Sequence, residues 1–261
     1  MKFQKILVVY SERKSDKCLE VIEKVKAILG ARKYTLAKSH DLTESLFKEI
    51  DLVITIGGDG GFIRAARFLK ETPIIGINAE PEYSEGASAS LKDDEINFLG
   101  EILNGKYNLI KRQRALVKIN GTHLKELALN EVFIGTEKQF ATARYLIKYR
   151  GKEERQKSSG VLVATGSGSN AWFKSAGGKP FPYDERKLAF LVREPYSGKR
   201  VFKPQLLSGE MLENESIIFK SDRYSGGIIA LDSNTVYNFN KGDIVEISIS
   251  NQPLNVIDIK K

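Results

Sequence analysis

The stretch Leu52-Val53-Ile54-Thr55-Ile56-Gly57-Gly58-Asp59-Gly60-Gly61 decides the fold of the first part of the chain. Its apolar half predicts a buried strand over residues 52–56, and its glycine-rich half predicts a sharp turn. A helical pattern over residues 62–70 follows, and Pro73 ends it before a further strand over residues 74–78. A strand, a helix and a strand in this order predict a parallel sheet with helices packed over it.

The same alternation extends towards the N-terminus. Residues 5–10 predict a buried strand, and residues 34–37 predict a weaker one. Between them, Ser15 or Asp16 can cap a helix that Gly30 stops. One face of this helix is apolar and is formed by Leu19, Ile22, Val25 and Leu29. These elements complete an expected N-terminal α/β domain.

Further along the chain the pattern changes. Residues 81–91 are polar and are predicted to form a loop, and residues 93–103 are predicted to be helical. The rest is mainly β, with one helix expected near Ala171. The expected strands cover residues 109–120, 128–134, 144–149, 160–164, 187–192, 216–220, 227–231, 236–239, 244–249 and 254–259. We therefore predict an α/β domain over 1–104 and a sandwich-like β domain over 105–261, whose last strands can return to the first domain.

Composition excludes several classes of protein. The chain of 261 residues is 41% hydrophobic and 28% charged, which is ordinary for a folded globular protein. A single cysteine, Cys18, excludes a disulfide framework and a cysteine-rich metal site. Apolar runs such as residues 6–10 are far shorter than the roughly 20 residues of a membrane span, and no signal-peptide pattern is present. We expect a cytoplasmic protein without a membrane partner.

The net charge of +8, from 41 Lys and Arg against 33 Asp and Glu, has two interpretations. It can be a solvated basic surface, or it can attract an anionic partner such as nucleic acid or a phosphate-rich small molecule. The densest basic segment, residues 144–157, is interrupted by Glu153 and Glu154, and no nucleic-acid-binding motif accompanies it. We expect no nucleic-acid partner.

Three motifs carry the functional hypotheses, and the first is the glycine-rich turn around Asp59. It joins the end of a parallel strand to a helix, where ligands of such sheets bind and where a helix N-terminus favours anions. A carboxylate is unusual in an anion site, so Asp59 is expected to bind magnesium, to accept a hydrogen bond from a substrate hydroxyl or to act as a base. The structural alternative is a tight turn in which Asp59 caps the helix.

The second motif is the pair Asn130-Glu131, which interrupts the apolar stretch of residues 127–134. Neighbouring residues on a strand point to opposite faces, so at least one of the two is expected to be buried with a hydrogen-bond partner. The structural alternative is a hydrogen bond or a β-bulge that serves the fold alone.

The third motif is the turn Thr165-Gly166-Ser167-Gly168-Ser169-Asn170-Ala171, which follows a predicted strand. Its backbone donors and hydroxyls suit a phosphate or ribose ligand, and the structural alternative is a flexible connection. Its glycine spacing matches a dinucleotide-binding fingerprint only weakly, because no second βαβ unit follows. The chain contains no P-loop of the Walker type.

Taken together, these motifs resemble the NAD kinase family in their order and spacing. The resemblance rests on residues 57–60, on the pair 130–131, and on residues 165–172 followed by residues 175–178. The first motif alone is shared with phosphofructokinases and with diacylglycerol and sphingosine kinases. The second and third motifs point to NAD kinases.

The resemblance implies a homo-oligomer, either a dimer or a tetramer. It implies transfer of the terminal phosphoryl group of ATP, or in some members of polyphosphate, to the adenosine-ribose 2′-hydroxyl of NAD, with Mg²⁺ or another divalent cation. Asp59 matches the catalytic acid of the family, and Asn130 and Glu131 match its adenosine-binding pair. The other positions that the resemblance assigns to nucleotide binding are Gly58, Gly60, Gly61, Ser159, Ser169, Asn170, Ala171, Trp172, Ser175 and Asp232.

The chain departs from the usual family pattern at three places. Gly61 stands where a threonine, serine or asparagine is usual, so one polar contact is lost. Ser159 stands where bacterial members have an aspartate, and an acidic segment with a proline at residues 78–86 replaces a glycine-rich one. Residues 78–86 and 156–160 are similar to the mitochondrial-type branch of the family, which shares the last two departures.

Three rival functions stay open on the sequence alone. A lipid or sphingoid kinase would share the turn at Asp59 but would lack the second and third motifs. A non-catalytic regulatory protein that binds a dinucleotide would explain why Gly61 replaces the usual polar residue. A nucleic-acid binder would account for the positive charge. An assay of NAD, ATP and magnesium for NADP separates all of these functions.

Overall fold

The structure is a computed structural model that describes residues 3–11 and 16–259. It divides the chain into two compact units. The first unit comprises Met1–Lys111 and Leu254–Lys261, and the second comprises Arg112–Pro253. The chain therefore leaves the first unit at residue 111, where residue 104 was expected, and it returns to that unit for its last strand.

The first unit is a sheet with helices. Its strands are β1 (Lys5–Tyr10), β2 (Lys33–Lys38), β3 (Leu52–Gly57), β4 (Ile74–Asn78), β5 (Leu91–Lys92), β6 (Asn108–Arg112) and β19 (Leu254–Asp258). Its helices are α1 (Asp16–Leu29), α2 (Asp59–Ala66) and α3 (Phe98–Leu103), with short 3-10 helices at Glu44–Phe47 and Asp93–Glu95. The strand order is β2-β1-β3-β4-β19-β6, with β5 paired to β4. The pairings from β1 to β5 and that of β19 with β4 are parallel, so the predicted parallel sheet is confirmed.

Helix α1 buries a stripe that differs by one position from the predicted one. Ile22, Val25 and Leu29 are buried as expected, whereas Leu19 is 43% exposed. Cys18 and Val21 take its place in the core cluster. The buried positions alternate by three and four residues, and Leu19 lies one residue beside this stripe. The helix begins at Asp16, and the alternative cap Ser15 lies outside the described residues.

Helix α2 begins earlier and ends earlier than the sequence predicted. It covers Asp59–Ala66, where residues 62–70 were expected. Gly58 is the residue that precedes the first helical turn, and no side chain caps this helix end. Asp59 therefore lies inside the first turn, where the helix dipole favours a negative charge.

The second unit is a sandwich of two six-stranded sheets. Its strands are β7 (Ala115–Ile119), β8 (Thr122–His123), β9 (Glu131–Thr136), β10 (Ala143–Tyr149), β11 (Lys152–Ser158), β12 (Gly160–Ala164), β13 (Lys187–Arg193), β14 (Ser208–Leu212), β15 (Ser216–Ser221), β16 (Gly227–Leu231), β17 (Thr235–Asn238) and β18 (Ile244–Ile249). The orders are β11-β10-β15-β18-β7-β8 and β14-β13-β12-β9-β16-β17, with antiparallel pairings. Alternate side chains of both sheets, such as Val132, Val163 and Ile247, form one continuous core. The predicted mainly β second domain is confirmed.

The helix expected near Ala171 is two helices of four residues each. They are α4 (Gly166–Ser169) and α5 (Trp172–Ser175), so Ala171 lies next to the join.

Three strands of the second unit that the sequence did not predict all lie at sheet edges. They are β8, β11 and β14, and each ends the strand order of its sheet. The sequence of β11, Lys-Glu-Glu-Arg-Gln-Lys-Ser, is strongly polar. An edge strand tolerates such residues because charged side chains discourage pairing with other chains. Because β11 has almost no apolar residues, the alternation of apolar and polar residues that predicts a strand is absent from it.

None of the helices within residues 3–11 and 16–259 has both the length and the apolar character needed to cross a membrane.

Candidate functional site

The first candidate site lies at the carboxyl end of β3, where the chain turns into α2. Gly57 has a backbone φ of 133°, and a side-chain carbon built on it would lie 2.7 Å from the Cβ atom of Ser11. Both observations require glycine at this position. The turn places Asp59 at the start of α2 as a half-buried residue.

The carboxylate of Asp59 is held by the segment that follows β4. Its Oδ1 atom accepts a hydrogen bond from the N–H of Ser88 (2.6 Å), and its Oδ2 atom accepts one from the N–H of Ala87 (3.3 Å). The Ser84 hydroxyl donates to Oδ2 (3.0 Å) and also lies 3.1 Å from the N–H of Asp59. A carboxylate offers about four acceptor positions, so these three donors orient the side chain and leave capacity for a further donor.

A cavity of about 540 Å³ lies over this turn. Gly58, Gly60 and Gly61 line it together with Asp59. The volume is within the usual range for small-molecule sites. The structure thus brings together all four residues that the sequence assigned to this turn.

A second carboxylate, that of Glu80, also lines this cavity. Glu80 is only 7% exposed, and its Oε1 atom has no hydrogen-bond partner among the described residues. The positively charged side chain of Arg64 and the side chain of His40 border the same space. The cavity therefore holds charges of both signs.

In the second unit, Asp232 holds the backbone of the Asn-Glu pair. Its Oδ1 atom accepts hydrogen bonds from the N–H groups of Asn130 (2.7 Å) and Glu131 (3.2 Å). Its Oδ2 atom accepts one from the N–H of Leu129 (2.8 Å). Asp232 is buried, and its φ of 52° is in the left-handed region that few non-glycine residues adopt. Asp232 therefore acts directly on the conformation of the pair.

Glu131 is the buried member of the pair, whereas Asn130 is partly exposed. Glu131 is 4% exposed, and its Oε2 atom has no hydrogen-bond partner in the described part of the chain. Burial, together with the nearby carboxylate of Asp232, raises the pKa of Glu131 to about 7, although a hydrogen bond with Ser233 opposes the shift. A buried carboxyl with an unsatisfied oxygen costs stability, which favours a functional role over a purely structural one.

The third motif packs directly on the second. The Thr165 hydroxyl accepts the N–H of Gly168 (3.2 Å) and donates to the carbonyl of Leu129 (2.5 Å). The N–H of Thr165 donates to the carbonyl of Asn130 (2.9 Å). A side-chain carbon built on Gly168 would lie 2.0 Å from that same carbonyl oxygen. The two motifs and Asp232 thus form one cluster, and the third motif is an ordered helical turn.

Of the other residues assigned to nucleotide binding in and after the third motif, Ser169 supports the turn, whereas three face solvent. Ser169 is fully buried, and its single hydroxyl hydrogen lies within hydrogen-bond distance of two backbone carbonyls, those of Gly166 (2.8 Å) and Phe181 (3.1 Å). It also accepts the N–H of Phe181 (3.0 Å), so its contacts are internal. Asn170, Ala171 and Ser175 are exposed.

Trp172 and Ser159 meet the same arginine. The ring of Trp172 packs against Phe133 with centroids 5.1 Å apart, and the guanidinium carbon of Arg193 lies 5.1 Å from the Trp172 ring centroid. The carbonyl of Arg193 accepts the N–H of Ser159 (3.0 Å). Ser159 lines a second cavity, of about 560 Å³, beside Lys157. No residue of the Asp232 cluster lines that cavity, so the structure does not join Ser159 to the cluster.

Sequence reasoning missed Ser84, Glu80 and Arg193. Both Ser84 and Glu80 lie in the segment of residues 78–86, which was compared with one branch of the family but was assigned no site residue. Its position beyond the carboxyl end of the strand next to β3 is the signal that could have found both residues. Nothing in the sequence distinguishes Arg193 from other basic residues on strands.

Comparison with known proteins gives relatives that are NAD and NADH kinases. The chain matches the family model described as "ATP-NAD kinase N-terminal domain" over residues 4–97. It is 28% identical over 270 residues to a probable NADH kinase of Oryza sativa subsp. japonica, covering 93% of this chain and 82% of that protein. It is 30% identical over 249 residues to an NADH kinase of Arabidopsis thaliana, covering 83% of this chain and 75% of that protein.

Two solved structures share the fold. An NAD kinase from Archaeoglobus fulgidus in complex with ATP superimposes with a TM-score of 0.73 at 22% identity, covering 98% of this chain and 93% of that chain. Yeast NADH kinase complexed with NADH superimposes with a TM-score of 0.82 at 14% identity, covering 100% and 85%. At these identities the likeness establishes the architecture of the chain.

Proposed function

The chain belongs to the NAD kinase family, and on this premise we propose that it transfers the terminal phosphoryl group of ATP to the adenosine-ribose 2′-hydroxyl of NAD, producing NADP. Its relatives carry the names NAD kinase and NADH kinase, so the oxidised and the reduced dinucleotide are both candidate acceptors.

The observation that carries the proposal is the oriented carboxylate of Asp59 in its cavity. Three donors hold it at the start of α2, and the glycines beside it leave space for a ligand. An ionised carboxylate at this position can accept the proton of a substrate hydroxyl. The helix N-terminus next to it favours the phosphates of a donor.

In the proposed reaction, the ribose 2′-oxygen attacks the terminal phosphorus of ATP. The new oxygen–phosphorus bond forms as the bond between that phosphorus and the bridging oxygen breaks, and ADP leaves. Asp59 takes the hydroxyl proton as the new bond forms, so the hydroxyl need not be deprotonated beforehand. Most of the catalysis in such a transfer comes from positioning and charge neutralisation.

The cluster in the second unit supplies the proposed dinucleotide contacts. Glu131 suits the ribose hydroxyls, because a carboxylate can accept two hydrogen bonds, and the amide of Asn130 suits an adenine edge. Trp172 and the exposed residues Asn170 and Ser175 extend this surface. Asp232 contributes by fixing the pair, since all three of its acceptor contacts with the 129–131 segment are to backbone N–H groups.

Mg²⁺ or another divalent cation is part of the proposal, and polyphosphate is an alternative donor. The cation would neutralise the donor phosphates, retaining several waters in its shell. The partnerless oxygen of Glu80 in the Asp59 cavity fits such a cation.

The test is a turnover assay on the purified chain of 261 residues. NAD or NADH is incubated with ATP and Mg²⁺, and NADP or NADPH is scored with a dehydrogenase specific for the phosphorylated form. We expect product with wild type and a loss of about 100-fold in Asp59→Asn. Polyphosphate replaces ATP in a parallel reaction to identify the donor.

The rival functions give different results in the same experiment. A lipid kinase would phosphorylate sphingosine or diacylglycerol and leave NAD unchanged. A non-catalytic binding protein would bind NAD in calorimetry without turning it over. Either result would reject the proposed activity, although the family membership would stand.

A further inference from the structure

Glu80 begins a turn that ends at Ser84, the residue whose hydroxyl bonds to Asp59. Its backbone carbonyl accepts the N–H groups of Tyr83 (3.0 Å) and Ser84 (3.0 Å). The Ser84 hydroxyl then bonds to Asp59. A further bond, from the N–H of Glu80 to the side chain of Asn78 (3.1 Å), fixes the start of the turn on the end of β4. The backbone of Glu80 is therefore anchored independently of its carboxylate.

One oxygen of the Glu80 carboxylate is buried without a partner. The residue is 7% exposed, and within the described residues its Oε1 atom accepts no hydrogen bond. A side-chain carbon built on Gly58 would lie 3.9 Å from Oε2, so the group faces the glycine turn. Burying a carboxylate without a partner costs on the order of several kcal/mol. Buried carboxylates are therefore usually paired with a cation or bound to a metal.

The ligand expected for this group follows from the charges around it. Two carboxylates, those of Glu80 and Asp59, line the cavity that is proposed to take the donor phosphates. Arg64 contributes one positive side chain to this cavity, but two carboxylates together with the donor phosphates still leave an excess of negative charge, which a metal cation would offset. Mg²⁺ commonly binds through one or two protein carboxylates together with substrate phosphates and waters. In the described part of the chain, no group of three or more His, Cys, Asp or Glu side chains could hold a metal ion.

We propose that Glu80 is a protein ligand of a divalent cation, of the size and charge of Mg²⁺, in the Asp59 cavity. The inference rests on the proposed kinase function only for the identity of the phosphates that complete the cation shell. Glu80 would hold the cation at the side of the glycine turn, so that the carboxylate of Asp59 stays available for the acceptor hydroxyl. The partnerless Oε1 atom would then have the cation as its partner.

The test measures the cation directly, without turnover. Mn²⁺ alone is titrated into the chain of 261 residues, and free Mn²⁺ is followed by electron paramagnetic resonance. We expect one site in wild type that Mg²⁺ displaces, and binding at least about ten-fold weaker in Glu80→Gln, which keeps the shape but removes the charge. Glu80→Asp, which keeps the charge on a shorter side chain, should bind with intermediate affinity.

Glu82→Gln is the matched control, because Glu82 lies on the same turn and is exposed. It should bind Mn²⁺ like wild type. Binding by Glu80→Gln equal to wild type, or a wild type that takes up no Mn²⁺, would overturn the cation site. If Glu80→Gln does not fold, the Mn²⁺ affinity of Glu80→Asp is compared with that of wild type instead. An affinity equal to wild type would again overturn the cation site. A Glu80-dependent Mn²⁺ site in a protein that fails the NAD assay would instead reject the proposed function and leave this inference in place.

Discussion

The two glycine-rich turns of the molecule look alike in sequence but use glycine for different purposes. Each follows a buried strand and opens a helix. In the first turn, a side-chain carbon built on Gly60 or Gly61 would meet nothing closer than 3.6 Å. In the second, one built on Gly166 or Gly168 would lie 2.1 or 2.0 Å from a backbone carbonyl oxygen. Gly60 and Gly61 keep the first turn open towards a cavity, although Gly57 and Gly58 lie close to the side chains of Ser11 and Ser84. In the second turn, glycine lets the chain approach other backbone segments.

The comparison extends to the carboxylates. Asp59 is half-buried, and three donors leave part of its capacity unused. Glu131 is buried with one oxygen unpaired, so its environment favours the neutral acid. The first turn presents a group that can accept a proton, and the second region holds a group whose charge costs stability until a ligand compensates it. Each prediction below tests one side of this contrast.

The largest effect is expected for Gly168→Ala. The new methyl group would overlap the carbonyl of Asn130, and neither backbone segment can move without breaking the bonds around Thr165. We expect a loss of about 3 kcal/mol or more in the free energy of unfolding, the upper end for overpacking. Urea denaturation measures it, with Gly60→Ala as the matched control. Equal stability of the two variants would remove the distinction between the turns.

The next effect is on turnover rather than stability. Asp59→Asn keeps the size of the side chain but removes the proton acceptor, so turnover at saturating NAD should fall by about 100-fold or more. NAD affinity and the melting temperature should change little. Asp94→Asn, an exposed aspartate of the same unit, serves as the control. Near-normal turnover in folded Asp59→Asn would show that Asp59 only shapes the turn.

The third prediction concerns pH. Because burial raises the pKa of Glu131 to about 7 in the folded protein, ionising it costs stability. The contribution of Glu131 to stability should therefore fall as the pH rises from about 4.5 to about 7, since the folded state binds the extra proton in this window. Glu131→Gln should remove this loss, and its free energy of unfolding relative to wild type should rise by on the order of 3 kcal/mol between pH 4.5 and pH 8.

Denaturation at several pH values checks this, with Glu137→Gln, an exposed glutamate, as control. A stability difference between wild type and Glu131→Gln that does not change with pH would show that Glu131 ionises as freely as a surface carboxyl.

A smaller effect is expected for Asn130→Ala. Because Asn130 is partly exposed, losing its amide should cost the lower part of the roughly 1–3 kcal/mol range for a buried polar partner. NAD should bind about five- to ten-fold more weakly, and ATP should bind almost unchanged. Calorimetric titration with each nucleotide measures the two affinities. Unchanged NAD binding with a less stable protein would assign the pair to the fold alone.

The smallest effect is expected for Gly61→Ala. The position is helical, and the new methyl group would meet only the Cβ atom of Ser39 at 3.7 Å. Replacing a helical glycine by alanine should raise the free energy of unfolding by about 0.5–1 kcal/mol. A loss of stability instead would show that the first turn is as closely packed as the second.

The strands and motifs with strong local signals could be predicted from the sequence. The parallel sheet could be predicted from the continuous apolar run before Gly57 and from the similar runs on either side of it. A strand that is buried on both faces has such a continuous run, whereas a half-exposed strand alternates apolar and polar residues. The start of α2 was placed too late because Gly60 and Gly61 lie inside its first turn, and glycine is a poor helix former. Polar edge strands such as β11 carry too weak a period-2 signal to be recognised.

The site was less predictable than the sheet, for a physical reason. Asp59 and the Asn-Glu pair stand out because polar residues interrupt apolar or glycine-rich stretches. The bonds that hold them come from residues distant in sequence, such as Ser84 and Asp232. Which acceptor meets which backbone N–H is decided by tertiary packing, so local patterns cannot reveal it. The burial of Glu80 is hidden from the sequence for the same reason.

The return of β19 to the first sheet has a consequence for protein synthesis. This strand lies between β4 and β6, and Val256 pairs with Ile74. On the ribosome, the chain must therefore complete the whole second unit before the sheet of the first unit can close. During that interval the edge of β4 near Ile74 lacks its native neighbour, which makes it a site where a nascent chain can mispair or be bound by a chaperone.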